Sequence, residues 1–207
     1  MVRASRPPPA ASETVLALPE RIEPLRNVRS TILVASVGNI RASGYFDDYA
    51  RRIPEHHRAP LFETIAGLWV PVDSALAHYA ACDALNLPES SQVDFGKRSV
   101  ERVGQSMVGT AIRMAKQVGA TPWTFIPHIQ RFWARGYDGG GLAAYKLGPK
   151  DARLDLVQCD LCESPFFRRA LRGWVTHLIL LFCSTVYVHE MTGPDGVRSM
   201  SMRAQWV

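Results

Sequence analysis

Six groupings of residues carry types that could do chemistry. Cys159-Asp160-Leu161-Cys162 is a CxxC pair, the spacing of half a structural zinc site or of a redox dithiol. Zinc needs a second pair or histidines at ligand spacing, and Cys82 and Cys183 stand alone in the sequence. A redox role needs the pair at a helix start in a βαβ setting. Buried or half-buried thiols are therefore the reading adopted. Residues 104–109, GQSMVG, come within one position of the G-x-S-x-G nucleophile elbow, but fall inside a helical pattern, which removes Ser106 as a nucleophile. His189-Glu190-Met191 lacks the second histidine of H-E-x-x-H and lies in strand-like text. His56 and His57 follow Pro54 among Arg51, Arg52 and Arg58, and are expected on a solvated basic edge. Asp47 and Asp48 fit a helix surface. No acid–base pair, triad or metal set can be nominated, so the expectation is no catalytic residue, no metal and no enzyme.

The sixth grouping is the densest. Residues 121–141, TPWTFIPHIQRFWARGYDGGG, set Trp123, Phe125, Phe132, Trp133 and Tyr137 around His128. A threonine cap at 121 or 124 with proline in the first turn starts a helix here. Trp123, Ile126, Ile129 and Trp133 then share one stripe, flanked by Phe125 and Phe132, and a stripe of that spacing belongs to a core. The glycines follow the helix and precede a strand, the reverse of a phosphate-cradling loop, so nucleotide binding is unsupported.

The elements that must position these residues follow from period and punctuation. Residues 1–27, with Pro7-Pro8-Pro9 and Arg3, Arg6, Arg21 and Arg26, are expected to form a flexible basic arm, and residues 28–207 a single domain. STILVAS, Ser30 to Ser36, is β-branched and is expected as a first strand, followed by a helix over Ile40 to Arg52. Proline-bounded helices are expected in residues 59–69 and 72–87, then a long amphipathic helix from Ser91 to Val118 closed by Gly119. After residue 140 the period changes from 3.6 to 2. Two strands surround Gly148-Pro149-Lys150-Asp151, a helix runs from Ser164 to Leu181, and CSTVYVHEM and RSMSMRAQWV are strands around Gly193-Pro194-Asp195-Gly196. In the last, Met200, Met202, Ala204 and Trp206 alternate with Ser199, Ser201, Arg203 and Gln205, the mark of an antiparallel sheet with one buried face. The fold class is α+β: a helical N-terminal half, then a mainly antiparallel sheet with one inserted helix.

Composition bounds the rest. Hydrophobic residues are 47% and charged residues 21% of 207, with a formal net charge of +5, the profile of a globular chain. The charge is not gathered into a readable nucleic-acid motif, so no nucleic-acid partner is expected. The most apolar run, from Trp174, is too short to span a bilayer and holds His177. No secretory leader is legible in MVRASRPPPAASETV, so the expected setting is cytoplasmic, with reduced thiols.

With STILVAS leading into an aromatic helix, then AYKLGPKDARLDL, PFFRRALRGWVTHLILL and a final SMRAQW, the order of elements resembles the superfamily shared by haem–nitric oxide-binding domains, 4-vinyl reductase domains and vesicle-tethering TRAPP subunits. Within it the chain looks most like an uncharacterised bacterial family abundant in myxobacteria. The resemblance covers roughly residues 28–207 as a pattern of elements. The haem branch carries a Tyr-x-Ser-x-Arg motif, and the matching stretch here, Tyr145-Lys146-Leu147-Gly148-Pro149, keeps only the tyrosine. Its proximal histidine has no counterpart around Met114 to Gln117. The resemblance therefore implies a sensory module without haem or other cofactor, holding a small apolar ligand. Its pocket would lie between helix 91–118, segment 121–136 and the inner sheet face, lined by Trp123, Phe125, His128, Phe132, Trp133 and Tyr145. The alternative is an interaction or assembly module with a protein partner or a second copy, several members of the superfamily being dimeric.

Overall fold

The alternation in the last strand carries through to three dimensions. In the computed structural model, which describes residues 12–104, 120–192 and 198–207, β8 (Met200–Trp206) buries Met200, Met202, Ala204 and Trp206. It is one of five antiparallel strands, with β1 (Glu13–Leu16), β5 (Gly141–Gly148), β6 (Asp151–Val157) and β7 (Val186–Met191), in the order β1-β5-β6-β8-β7. Ala144, Leu154 and Met202 lie side by side across β5, β6 and β8 on the buried face. Tyr145, Arg153 and Arg203 form the next row, on the opposite face.

The helix inserted between β6 and β7 is α8 (Pro165–Leu180). Its start obeys sequence rules: Ser164 accepts from the Phe167 N–H and Pro165 occupies the first turn, where no N–H is needed. Asp83, at the end of α4 (Val72–Asp83), accepts from the Phe166 N–H at 2.7 Å. A carboxylate at a helix N-terminus complements the dipole there. α8 packs on α5 (Glu89–Gly104) through glycine. A Cβ on Gly96 would sit 1.8 Å from the Ala170 carbonyl oxygen, and one on Gly173 1.9 Å from that of Val93.

The helical half differs from the expectation at its beginning. Ser30 to Ser36 is not a strand; it opens α1 (Ser30–Ala42). The strand is β2 (Asn27–Arg29), which pairs with β3 (Trp69–Pro71) and β4 (Tyr137–Asp138) in a three-stranded sheet of order β3-β2-β4. β-branched residues favour strands only weakly, and here tertiary packing decides. Leu33, Val37 and Ile40 are all buried, at helical spacing. The expected helix over Ile40 to Arg52 is broken at Gly44, φ +79°, into the end of α1 and α2 (Phe46–Arg52). α3 (Glu55–Phe62) starts earlier than expected and stops before an irregular stretch leading into β3. Of the long helix expected over 91–118, residues 105–119 lie outside the described residues, as does the turn at 193–196.

Residues 13–25, placed in the arm on sequence, lie against the sheets. β1 pairs with β5, and Leu25 is buried and donates its N–H to Gln158 O. Gly140 N–H donates to Glu23 O at 2.9 Å. The three glycines permit this crossing: Gly139 has φ +108°, and a Cβ there would meet Pro24 O at 2.2 Å.

Candidate functional site

The aromatic segment folds as α6 (Pro122–Phe125), a single 3-10 turn over Ile126–His128 that takes up Pro127, and α7 (Ile129–Gly136). The Thr121 N–H donates to Thr124 Oγ1 at 3.2 Å, which fixes the start of α6 at the earlier of the two threonines. Ile126, Ile129 and Trp133 of the expected stripe are buried, and Trp123 is half-buried.

The six nominated residues do not form one group. Phe125 and Phe132 are neighbours, ring centroids 4.9 Å apart, and Phe125 stacks on Phe182 just beyond α8 at 5.8 Å. Trp123 stands edge-on to Trp206 at 5.0 Å and donates its indole N–H to Pro149 O at 2.6 Å. Trp133 faces away from these, stacked on Tyr137 at 3.8 Å with its N–H donated to Gly139 O. His128 is exposed. Tyr145 lies on the other face of the sheet, opposite Arg153, whose guanidinium is 5.7 Å from its ring. Rings from the segment thus serve three separate contacts: to Phe182 just beyond α8, to Trp206 of β8 and to Tyr137 of β4.

The polar centre of the helical half was not nominated from sequence. His78 on α4 is wholly buried between α1 and α2. Its Nδ1 is 2.6 Å from Tyr49 Oη and its Nε2 3.0 Å from Ser36 Oγ, with Cys82 Sγ 3.8 Å from Nε2. Burial raises the Tyr49 phenol far above its ordinary range, so Tyr49 keeps its proton, and we assign that proton to the bond with Nδ1. The other ring nitrogen then carries the hydrogen and donates to Ser36. Burial also lowers the imidazole pKa to about 3, which keeps the ring neutral, and raises the Cys82 thiol well above its usual value. The only sequence signal was His78 and Cys82 four residues apart on one helix.

The CxxC pair precedes α8 in a 3-10 turn, Cys162 N–H donating to Cys159 O at 3.0 Å. Both side chains are buried, and Cys159 is held as a thiol by burial and by its hydrogen bond to Cys162. A thiol raised in this way is a poor nucleophile. Among the described residues no group of three or more histidine, cysteine, aspartate or glutamate side chains could hold a metal. An open cleft of about 410 Å³ lies between α2 and α3, lined by Phe46, Asp47, Ala50, Arg51, Arg58 and Phe62. Its two arginines are already engaged: Arg51 with Asp48, and Arg58 with Glu55 at 3.0 Å.

All six histidines fall among the described residues, so the imidazole donors can be tested as haem ligands. His56, His128 and His189 are exposed. His57 Nδ1 is 3.1 Å from Ser74 Oγ, and His177 Nδ1 faces Glu101 at 3.6 Å. His78 is spoken for at both nitrogens. His78 is the one wholly buried imidazole, and because both its nitrogens are engaged it does not fit as the histidine ligand of a haem.

No protein-family model matches the chain, and no curated protein matches it in sequence. Solved structures do match. An unliganded Fe(II) H-NOX protein from K. algicida superposes with a TM-score of 0.62 at 8% identity, over 86% of this chain and 96% of that one. A structure from work on heme distortion in the H-NOX family gives 0.61 at 11% identity, over 86% and 94%. An oxygen-binding H-NOX domain related to soluble guanylate cyclases gives 0.58 at 11% identity, over the same 86% and 94%. The haem–nitric oxide-binding part of the expected resemblance is thus met at the level of architecture. Helical half, crossing strands and antiparallel sheet with its one inserted helix together make the H-NOX fold.

Proposed function

We propose that the chain is a non-catalytic sensory or binding module that holds a small apolar ligand and no haem. The observation that supports this most is the set of histidines on an H-NOX fold. The similar structures are named for heme and oxygen, whereas here the one wholly buried imidazole, His78, is engaged at both ring nitrogens. A scaffold that keeps these layers while its buried imidazole is engaged elsewhere is suited to an uncharged guest held by packing alone. We place that guest between α5, segment 121–136 and the inner face of the five-stranded sheet. Of the six residues expected to line it, Trp123, Phe125 and Phe132 would supply its apolar wall, whereas Trp133, His128 and Tyr145 turn elsewhere.

Native mass spectrometry of protein purified without detergent tests the reading. A retained small molecule, lost on unfolding, is expected. Release of no ligand would overturn it, and so would stoichiometric hemin uptake with a histidine-ligated absorption spectrum.

A second reading, an assembly module that adds a copy of itself or another chain, rests on β7. This is an edge strand of the larger sheet, and its Tyr187 is 65% exposed. Light scattering across a concentration series separates the two, because only this reading requires a dimer or a bound partner.

A further inference from the structure

Between α3 and β3 the chain turns through Ile65, Ala66, Gly67, Leu68 and Trp69, five consecutive residues that are all exposed and all without charge or polar side chain. Ile65 is 70% exposed, Leu68 49% and Trp69 41%. Connections on a protein surface are ordinarily polar, and an exposed apolar run of this length costs solubility unless it has a use.

The turn is built rather than loose. Ser30, the first residue of α1, donates its hydroxyl to Ile65 O at 2.8 Å and its N–H to Leu68 O at 2.8 Å, and its Oγ accepts from the Leu68 N–H at 3.0 Å. Arg29 donates to Gly67 O at 2.7 Å and lays its guanidinium 4.0 Å over the Trp69 ring. The backbone polar groups at the tip are therefore largely satisfied from within, while the apolar side chains point out. Val34, one helical turn beyond Ser30, is also exposed, at 39%.

We propose that this tip seats the protein on an anionic lipid surface. Satisfied backbone and outward apolar side chains are what a lipid interface demands of a segment that enters it. Tryptophan prefers the headgroup level, and Arg29 beside it can meet lipid phosphate while its stem stays against the ring. The net charge of +5 favours an acidic leaflet. Other occupants fit less well. Pro71 has no N–H to offer along the free edge of β3, which blunts strand addition. Five residues also present much less than the ~800 Å² that each partner buries in a stable protein interface. The inference is independent of any ligand in the interior.

The test is flotation of the full chain with vesicles of phosphatidylcholine alone and of phosphatidylcholine mixed with phosphatidylglycerol. The wild type should rise with the acidic vesicles and less with the neutral ones. Ile65→Ser with Leu68→Ser should cut the bound fraction by roughly tenfold, with circular dichroism and melting temperature unchanged because both side chains are exposed. The proposal is overturned if the wild type ignores acidic vesicles, or if the double variant floats as well as the wild type. It is equally overturned if light scattering shows a dimer that the double variant abolishes, since the tip would then serve a protein contact.

Discussion

His78 is the residue where burial and chemistry meet most sharply. Its folded pKa of about 3 lies below that of an exposed imidazole, so the unfolded chain takes up the proton first. The stability it contributes is complete above the unfolded pKa and is lost progressively as the pH falls towards the folded value. Taking the protein from about pH 7 to about pH 5 should therefore cost roughly 2 kcal/mol in urea unfolding. His57, also lowered but far less buried, acts in the same direction more weakly. Tyr49→Phe leaves Nδ1 with no donor inside the core and should cost about 1–3 kcal/mol. If that variant is as stable as the wild type, the ring has found another tautomer and the assignment fails. None of this was legible beforehand. Ser36, Tyr49 and His78 are far apart in the chain, and only folding brings three helices to one imidazole. By contrast Ser164 and the alternating methionines of β8 could be read directly, because a cap and a period of two are local facts.

Elements tell a similar story about what local text can and cannot say. The change of period near residue 140 located β5, β6, α8, β7 and β8, and in that half expectation and structure agree. The beginning failed because Thr31, Ile32 and Val34 look like strand formers one at a time, whereas Leu33, Val37 and Ile40 bury one face of a helix. The ring-rich segment was expected to line one pocket, yet its rings turn to Phe182, Trp206 and Tyr137 in three directions. Periodicity gives the face of a helix but not the partner that meets it. The α5–α8 contact supplies a sharp test. Alanine ordinarily favours a helix over glycine by about 1 kcal/mol. At Gly173 the added methyl would collide with the Val93 carbonyl, so Gly173→Ala should destabilise by about 2–4 kcal/mol. Gly96→Ala should do the same through Ala170, and the double variant should fall short of the sum, because either change already parts the same two helices. Thermal melts of the three variants measure this.

For the molecule as a whole, the fold and the donor set point in different directions, and that contrast makes the proposed function testable. The architecture matches H-NOX structures over 86% of the chain, while the one wholly buried imidazole, His78, is engaged at both nitrogens. Added hemin should therefore produce no histidine-type spectrum, and should shift the melting temperature no more than an unrelated apolar solute does. A large, saturable rise would show that another residue serves as ligand.

The short pairing of β1, three residue pairs along the rim of the larger sheet, has a mechanical corollary. A pull applied ahead of Glu13 and across the strand would open its hydrogen bonds to β5 one after another, as a zipper opens, instead of loading them together. Whatever is tethered there should detach the rim at low force while the glycine-locked helices behind it stay seated.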